Sequence, residues 1–381
     1  MTVVGTRPEI IRLSRVILRL DQLVDHTVVH TGQNWDRQLS DVFFDELALR
    51  PPDVRLAVDT SSLGTVIGGI LAAIEPVLRD IRPDAFLVLG DTNSCLAAVM
   101  AKRLGVPVFH MEAGNRCFDE NVPEEVNRRL IDHIADFNLC YTENARSNLL
   151  GEGLHPQRVF VTGSPMAEVL NAYRSEIAAR PVLERMGVEP GGYLLASMHR
   201  EENVDNPDNL AKLLSALRRL QKGLDVRVLV TTHPRLRDRL PRLAPDADTS
   251  TIDFCDPFGY LDYIRLQQHA RCVVSDSGTI SEESAILGFP AVTIRNAMER
   301  PEALDAGSMI LTGVEPEAVE RAVELVVSDW DAGRRPSVPP AYQVADCSAR
   351  VVRLIVGLSG VHRRWANLDP KLGWIGGIDP P

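Results

Sequence analysis

Acidic side chains follow two strand-like runs of this sequence, at positions suited to proton transfer. Asp91 comes after the apolar run at 85–89, and Glu112 comes after the run at 106–110. Ligands of open α/β sheets bind beyond the carboxyl ends of the strands, so both carboxylates are candidates for acid–base chemistry. Two carboxylates on neighbouring strand ends can share a proton or titrate at separate pKa values. The structural alternative for Asp91 is an ordinary helix N-cap.

A second pattern is the turn Gly5-Thr6-Arg7-Pro8-Glu9, which follows the first predicted strand. Gly5 permits a tight turn and Pro8 suits the start of a helix, so Arg7 is expected at a helix N-terminus. A guanidinium beside free backbone N–H groups is suited to bind phosphate. A solvated arginine at an ordinary helix start gives the same pattern.

A third pattern opens a helix at residues 121–128, which read Asn-Val-Pro-Glu-Glu-Val-Asn-Arg. Asn121 is a candidate N-cap, and the proline falls in the first turn. Glu124 and Arg128 are four residues apart and are expected to share a helix face. They form either a positioned carboxylate with its arginine or a surface ion pair of little energetic value. The apolar positions predicted to face the core are Val126, Leu130 and Ile134.

Polar groups again follow predicted strands in the second half of the chain. His199 and His233 each follow a predicted strand after one intervening residue, although a lone histidine is more often structural. The Ser-Asp-Ser-Gly-Thr run at 275–279 leads into a helix, and its backbone N–H groups are suited to bind phosphate. Glu283, in the next helical turn, can accept two hydrogen bonds from a ribose diol.

The elements that position these groups alternate between short β-branched strands and amphipathic helices, which predicts parallel sheets built from βαβ units. In the first helix, for example, Ile10, Leu13, Ile17 and Leu20 recur at helical spacing. The predicted strands lie at residues 2–4, 27–30, 85–89, 106–110, 159–162, 193–197, 226–231, 271–275 and 291–294.

This alternation predicts an α/β fold of two Rossmann-like doubly wound domains with a central cleft. A Gly-Ser-Pro turn at 163–165 marks the join. We therefore expect one domain at 1–165 and a second at 170–345. A helix at about 346–358 is expected to pack back on the first domain, and the tail at 359–381 has no assignable pattern.

Composition narrows the class of protein. The chain has 381 residues, of which 45% are hydrophobic, and a formal net charge of −11, which argues against a nucleic-acid or membrane-surface binder. The six cysteines have no zinc-site spacing, and they indicate reduced thiols in a reducing compartment. No signal peptide is visible, so a cytoplasmic protein is expected. No Gly-x-Gly-x-x-Gly follows the first strand, so no nicotinamide cofactor is expected. No metal is expected either, because the sequence has no His/Cys ligand spacing.

Taken together, these motifs resemble those of the non-hydrolysing UDP-N-acetylglucosamine 2-epimerases. The resemblance extends over about residues 1–358, and the ordered set is far more specific than any single motif. It implies a fold similar to that of two-Rossmann (GT-B-like) glycosyltransferases, with UDP bound by the second domain. The motifs that carry it are Gly5-Thr6-Arg7-Pro8-Glu9, Gly90-Asp91-Thr92, His110-Met111-Glu112-Ala113-Gly114, Pro123-Glu124-Glu125-Val126-Asn127-Arg128, His199-Arg200-Glu201-Glu202-Asn203, Ser275-Asp276-Ser277-Gly278 with Glu282-Glu283, and Glu299-Arg300-Pro301-Glu302.

The resemblance assigns roles to individual residues. The positions that match the family's catalytic residues are Asp91, Glu112, Glu124 and His199. Arg7 and Arg128 match its phosphate-side arginines, and Arg12 stands where the family often has lysine. Tyr263 falls at the position expected to stack on uracil. The remaining candidate substrate-binding residues, on the diphosphate and ribose side, are His233, Ser277, Gly278, Thr279, Glu283 and Arg300.

The sequence departs from the family pattern in two segments. The loop at 113–123 is shorter than in the better-known bacterial members, and Gln-Asn-Trp-Asp at 33–36 differs from their Gln-His-Arg type. Those members use both regions for a second, allosteric substrate molecule, so the resemblance does not extend to such activation. The loop also resembles that of a sub-branch acting on UDP-linked N-acetylated 6-deoxy-L-sugars.

The reaction that the resemblance implies interconverts UDP-GlcNAc and UDP-ManNAc. UDP is eliminated to leave a bound 2-acetamidoglucal, and it then adds back with a proton delivered to the other face of C2. Two faces require two proton-handling groups, which accounts for several carboxylates. The alternatives are the 6-deoxy-L-sugar epimerase, a hydrolysing epimerase, a two-Rossmann glycosyltransferase and a non-catalytic UDP-sugar-binding regulator. A homodimer in polysaccharide or secondary-metabolite biosynthesis is the family expectation.

Overall fold

A computed structural model of the chain describes residues 1–33, 37–243 and 249–365. It divides into two compact units: Met1–Asn171 with the described residues from Gln343 onward form the first unit, and Ala172–Tyr342 form the second. Residues 34–36 of the divergent Gln-Asn-Trp-Asp segment, and the tail from residue 366, lie outside the described residues. Among the described residues, no helix combines the length and apolar character needed to cross a bilayer.

The described part of the first unit contains a sheet of seven strands, and every pairing in it is parallel. The strands, in chain order, are β1 (Thr2–Val4), β2 (Val28–His30), β3 (Val54–Arg55), β4 (Phe86–Leu89), β5 (Val108–Met111), β6 (Phe137–Cys140) and β7 (Val159–Val161). Their spatial order, β3-β2-β1-β4-β5-β6-β7, reverses direction between β1 and β4. In doubly wound sheets, ligands bind beyond the strand ends at this point.

The described part of the second unit has a five-stranded parallel sheet with the same kind of reversal, here between its first and fourth strands. The strands are β8 (Tyr193–Ser197), β9 (Arg227–Thr231), β10 (Ile252–Cys255), β11 (Cys272–Ser275) and β12 (Ala291–Thr293), in the spatial order β10-β9-β8-β11-β12. The α/β class and the doubly wound sheets predicted from the sequence are confirmed.

Helices flank both sheets and bury their apolar stripes against them. In chain order they are α1 (Arg7–Leu23), α2 (Arg37–Glu46), α3 (Leu63–Ile81), α4 (Ala97–Arg103), α5 (Pro123–Ile134), α6 (Glu143–Gly151), α7 (Met166–Ala172), α8 (Arg174–Ala178), α9 (Val182–Met186), α10 (Glu201–Val204), α11 (Pro207–Leu224), α12 (Pro234–Leu243), α13 (Tyr260–His269), α14 (Ile280–Leu287), α15 (Glu302–Asp305), α16 (Pro316–Asp331) and α17 (Cys347–Trp365). Short 3-10 helices lie at Asn93–Leu96, Pro156–Arg158 and Pro340–Tyr342.

The first and last helices pack together in the first unit. The four apolar residues predicted for α1 are all buried. Helix α17 packs against α1, and Ser348 at its start donates its backbone N–H to Glu168 at 2.7 Å. It continues to Trp365, seven residues beyond the end expected at 358.

Three strands escaped the sequence analysis, namely β3, β6 and β10. Strand β3 has only two residues, which is too short for any periodicity to register. In β6 the buried Asn138 interrupts the apolar run, and its amide donates to the Asp132 carbonyl at 2.9 Å. Strand β10 has only four residues, and one of them, Asp253, is charged and exposed.

The predicted apolar stripe of α5 is wrong at two of its three positions, and only Ile134 packs partly against the core. Val126 and Leu130 are 68% and 43% exposed. The residues that the helix buries are Glu125, Arg128, Ile131 and Asp132. Three of these four are charged. They can be buried because each is paired with an oppositely charged side chain inside the first unit.

Candidate active site

The turn between β1 and α1 is fixed by Glu9. A side chain at Gly5 would overlap the hydroxyls of Thr31 and Ser94, so the chain can pass here only as glycine. The Glu9 carboxylate accepts the N–H groups of Gly5 at 2.6 Å and Thr6 at 2.8 Å, which completes a capping box at the helix start. Burial raises the pKa of Glu9 to about 7, against the opposing effect of these hydrogen bonds.

Glu9 also ties this turn to the end of β4. Its second oxygen accepts the hydroxyl of Thr92, the residue after Asp91. Arg7 is carried on the first turn of α1, and its guanidinium carbon lies 5.4 Å from the centre of the Phe43 ring. Glu9 thus joins the turn that precedes Arg7 to the residue that follows Asp91.

Asp91 is held by Arg128. The guanidinium donates to Asp91 Oδ2 from Nη2 at 2.5 Å and from Nε at 3.1 Å. The alternative that Asp91 is only a helix cap does not apply, because Thr92 caps the 3-10 helix that follows by accepting the N–H of Ser94. The structure therefore brings together one predicted catalytic residue and one predicted phosphate-side arginine.

The second partner of Arg128 differs from the one expected. Its Nη1 donates to Glu125 at 2.5 Å, three residues away, whereas Glu124 is exposed on the first turn of α5. Burial would raise the pKa of Glu125, but the N–H of Cys117 and the charge of Arg128 outweigh it, so the pKa is lowered. The predicted Glu124–Arg128 pairing is thus replaced by Glu125–Arg128.

Glu112 occupies a strained and buried position beyond β5. Its φ is +65°, a region that non-glycine residues rarely adopt, and its side chain forms a buried ion pair with Arg12. A Cβ built on Gly90 would lie 3.8 Å from Glu112 Oε2, so the ends of β4 and β5 converge. Arg12, predicted to bind substrate, lies against a predicted catalytic carboxylate.

In the second unit, His199 is oriented by Asp276. The Nδ1 atom of His199 lies 2.9 Å from Asp276 Oδ1. The carboxylate also accepts the backbone N–H groups of His199 and Arg200, at 3.0 and 3.1 Å, and the amide of Asn203 at 3.0 Å. The His233 ring centre is 6.2 Å from that of His199, so the structure brings these two predicted residues together.

Asp276 is ionised although it is completely buried. Burial alone would raise its pKa, but the nearby His199 charge and the hydrogen bonds to the carboxylate hold the pKa well below its usual range. The sequence analysis considered the Ser-Asp-Ser-Gly-Thr run only for its backbone N–H groups and missed this role. The signal was present: Asp276 directly follows one buried strand, and His199 follows another after one intervening residue.

The Ser277-Gly278-Thr279 turn connects β11 to α14 and is braced by Arg300. The hydroxyls of Ser277 and Thr279 are 3.1 Å apart, and Arg300 donates to the Gly278 carbonyl. A Cβ on Gly278 would lie 3.1 Å from both Arg300 and Glu299, so glycine keeps this approach open. Arg300, predicted to bind substrate, is buried and supports the turn.

Glu283 and Tyr263 lie deeper in the second unit. Glu283 accepts the amide of Gln267 at 2.8 Å, and both side chains are buried. Tyr263 packs against the apolar core beside Tyr193, and burial raises the pKa of its hydroxyl. Gln267 was not identified from the sequence, because a buried glutamine inside a helix has no distinguishing pattern.

Comparison with known proteins shows what the chain is similar to. A family model described as UDP-N-acetylglucosamine 2-epimerase matches residues 17–356. A solved UDP-N-acetylglucosamine 2-epimerase of Rickettsia bellii is 42% identical, with a TM-score of 0.90 over 96% of this chain and 97% of its own.

Two further relatives are described by the UDP-sugars that they bind or act on. The UDP-GlcNAc 2-epimerase of Methanocaldococcus jannaschii, solved in complex with UDP-GlcNAc and UDP, is 33% identical, with a TM-score of 0.87 over 93% of this chain and 99% of its own. A UDP-2,3-diacetamido-2,3-dideoxy-D-glucuronate 2-epimerase of Pseudomonas aeruginosa is 35% identical over 82% of this chain and 88% of its own length.

Proposed function

The chain belongs to the UDP-N-acetylglucosamine 2-epimerase family, a family of isomerases, and from this premise we propose that it interconverts UDP-GlcNAc and UDP-ManNAc. The observation that carries the proposal is the pair of carboxylates on adjacent strand ends. Asp91 and Glu112 are each held by a separate arginine, Arg128 and Arg12. Each carboxylate is thus fixed independently, as two proton-transfer groups serving two faces of one carbon must be.

The C2 proton of the substrate is not acidified by a neighbouring ketone, so removing it alone is too costly. In the proposed reaction a base removes this proton while the C1–O bond breaks. UDP leaves with the bonding electron pair, and the C1=C2 double bond of a 2-acetamidoglucal forms. The reverse addition re-forms the C1–O bond and delivers a proton to the opposite face of C2.

We assign the proton transfers to Asp91, Glu112 and Glu124. The developing charge on the leaving UDP is stabilised by Arg7, by His199 and by the N–H groups at the start of α14. Arg128 stabilises the same charge while it orients Asp91. These steps use only acid–base groups and cations of the chain itself.

The nucleotide-side roles belong to residues of the second unit. Glu283, oriented by Gln267, accepts the ribose hydroxyls, and Tyr263 contacts uracil. The other residues assigned to nucleotide binding are His233, Ser277, Gly278, Thr279 and Arg300, the last acting through the Gly278 carbonyl that it holds.

The direct test is incubation of the purified protein with UDP-GlcNAc in D2O. UDP-ManNAc carrying deuterium at C2 is expected, and recovered UDP-GlcNAc should also acquire deuterium. Epimerised product that keeps its original hydrogen at C2 would refute elimination. Free N-acetylmannosamine with UDP would identify a hydrolysing epimerase instead.

The substrate class should be tested by the same assay with a panel of UDP-sugars, because one relative acts on a diacetamido glucuronate sugar. UDP-GlcNAc should be turned over with a higher kcat/KM than UDP-2,3-diacetamido-2,3-dideoxy-glucuronate or a UDP-linked N-acetylated 6-deoxy-L-sugar. A reversed preference would move the assignment to that sugar and leave the elimination chemistry in place. Turnover that required a separate sugar acceptor would instead indicate a glycosyltransferase.

We further propose that the protein acts as a homodimer in the cytoplasm. All six cysteines are free thiols, as is usual in a reducing compartment. Sedimentation equilibrium at micromolar concentration should give twice the chain mass of 42.0 kDa. A monomeric mass with full activity would refute the dimer.

A further inference from the structure

His110, on β5, lies between two hydrogen-bond acceptors and is fully buried. Its Nδ1 is 2.9 Å from Asp132 Oδ1, and its Nε2 is 2.7 Å from the carbonyl oxygen of Gly90. A carbonyl oxygen only accepts hydrogen bonds, so Nε2 must carry a proton.

The state of Asp132 decides whether Nδ1 also carries one. Asp132 Oδ2 accepts Arg116 Nη1 at 2.7 Å, and its carboxylate also accepts the Gly114 N–H at 3.2 Å. A guanidinium at this distance in a buried site strongly favours the ionised carboxylate. An ionised carboxylate only accepts, so the His110 Nδ1 must donate to it.

We infer that His110 is a buried imidazolium that positions the Gly90–Asp91 peptide. Only the expected effect of His110 on turnover rests on the proposed function. The Gly90 carbonyl belongs to the peptide that leads into Asp91. On the other side of Asp91, its own carbonyl accepts the Asn127 amide at 3.0 Å. Both peptides that flank the candidate catalytic carboxylate are therefore held by polar groups.

All of these attachments lead to helix α5. Asn127 holds the Asp91 carbonyl, Arg128 holds the Asp91 carboxylate, and Asp132 holds the Gly90 carbonyl through His110. His110 is the only one of these links, among the described residues, that crosses from β5 to β4. It therefore acts as a positioning residue, fixing the strand end at which Gly90 turns the chain with a φ of +79°.

The cluster around His110 balances its charge. From α5, Asp132 faces the ring; from the loop after β5, Arg116 faces Asp132 and also pairs with Glu152 of the α6 C-terminus at 2.6 Å. Two cations thus meet two carboxylates. The Cys140 thiol of β6 has its pKa raised by burial and by Asp132, so it adds no charge, and the nearby Glu112 is paired with Arg12.

The charge state can be read directly, without any assay of activity. In protein labelled with 15N-histidine, His110 should show both ring nitrogens protonated at pH 7.5, identified by the signal lost in the His110→Gln variant. A neutral tautomer at pH 7.5 would overturn the inference, whatever the protein turns out to catalyse. Failure of UDP-GlcNAc turnover, conversely, would leave this result unaffected.

Turnover tests the positioning role. His110→Phe keeps a ring but cannot donate to the Gly90 carbonyl, so kcat should fall about 10²-fold, the scale of a misplaced catalytic group, with KM within about twofold. His110→Gln, whose amide can donate, should recover at least about tenfold of that loss. The control is His133→Gln, because His133 is exposed on α5, the helix that carries Asp132. Equal losses of kcat in the Phe and Gln variants, or an effect on KM alone, would refute the positioning role. If the Phe variant does not fold, the kcat of the Gln variant and the ring-nitrogen signals of the native protein still test the inference.

Discussion

His199 and Asp276 form one hydrogen-bonded unit in which a single carboxylate fixes both the ring and the backbone of the histidine. Asp276 is fully buried, meets Nδ1 at 2.9 Å, and accepts the N–H of His199 at 3.0 Å. A carboxylate partner on Nδ1 sets which nitrogen carries the proton and points the other one outward. Because Nδ1 donates to Asp276, Nε2 faces outward, and it can donate to a leaving oxygen when the ring is in the imidazolium form, whose charge the Asp276 carboxylate balances.

Replacing Asp276 by Asn should therefore damage catalysis more than binding. The asparagine amide can donate to Nδ1, which leaves Nδ1 unprotonated and removes the carboxylate that balances the imidazolium charge, so turnover should fall by roughly 10²-fold or more, as in comparable dyads. We expect this loss in kcat, with KM nearly unchanged. Asp256→Asn, at an exposed position of the same unit, is the control; a full-activity Asp276→Asn enzyme would show that the dyad has no catalytic part.

Glu9 should make the stability of the protein fall as pH rises. Its pKa in the folded protein is about 7 against an ordinary value of 4.5, because the carboxylate is buried. Between these two values the folded state holds the proton and the unfolded state does not, so folding loses stability with increasing pH. The shift corresponds to about 3 kcal/mol, complete above pH 7 and absent below 4.5.

The Glu9→Gln variant measures this contribution, because it keeps the side-chain oxygen but cannot ionise. The free energy of unfolding of the variant minus that of the native protein should rise by about 3 kcal/mol between pH 4.5 and 7.5. Urea unfolding at several pH values provides the measurement. Glu189→Gln, at an exposed position, is the control. A difference that stays constant with pH would mean that Glu9 is not a buried titrating group.

The sequence was sufficient for nine of the twelve described strands and for the polar residues at their ends, because parallel strands place such residues at one edge of a sheet. It was insufficient where charged side chains, and not apolar ones, are buried inside the first unit. On α5 the buried face carries Glu125, Arg128 and Asp132, and only the tertiary partners of these residues explain why they are buried. Apolar periodicity therefore selected Val126 and Leu130, which the structure exposes.

The same reason limited the prediction of individual contacts. Asp91 was expected near a helix start, but its pairing with Arg128 depends on which face α5 turns toward the sheet. Arg12 was expected to meet substrate, yet it extends from α1 to Glu112, one hundred residues along the chain. Ion pairs between residues so far apart in the chain cannot be recognised from the local sequence.

Arg12 should matter for its charge more than for its shape. Arg12→Lys keeps a cation beside Glu112, and it introduces the residue that the family often carries there, so turnover within about tenfold of native is expected. Arg12→Met leaves a buried carboxylate without its cation, which typically costs about 3–5 kcal/mol. Arg19→Met, on the exposed face of the same helix, is the control. Equal stability of the Lys and Met variants in urea unfolding would show that the Arg12–Glu112 pair does not hold this strand end.

Adjacent glutamates on α5 should separate catalysis from folding. Glu125 is buried and joined to Arg128 at 2.5 Å, whereas Glu124 is exposed. Glu125→Gln removes one partner of a buried pair, so the free energy of unfolding should fall by about 3 kcal/mol. Glu124→Gln should leave unfolding unchanged within about 0.5 kcal/mol, as surface substitutions usually do. Its kcat should nevertheless fall at least tenfold if Glu124 transfers a proton, because the amide cannot accept one. A Glu124→Gln enzyme with native kcat and unchanged deuterium incorporation at C2 would remove Glu124 from the catalytic set and leave Asp91 and Glu112 to serve the two faces.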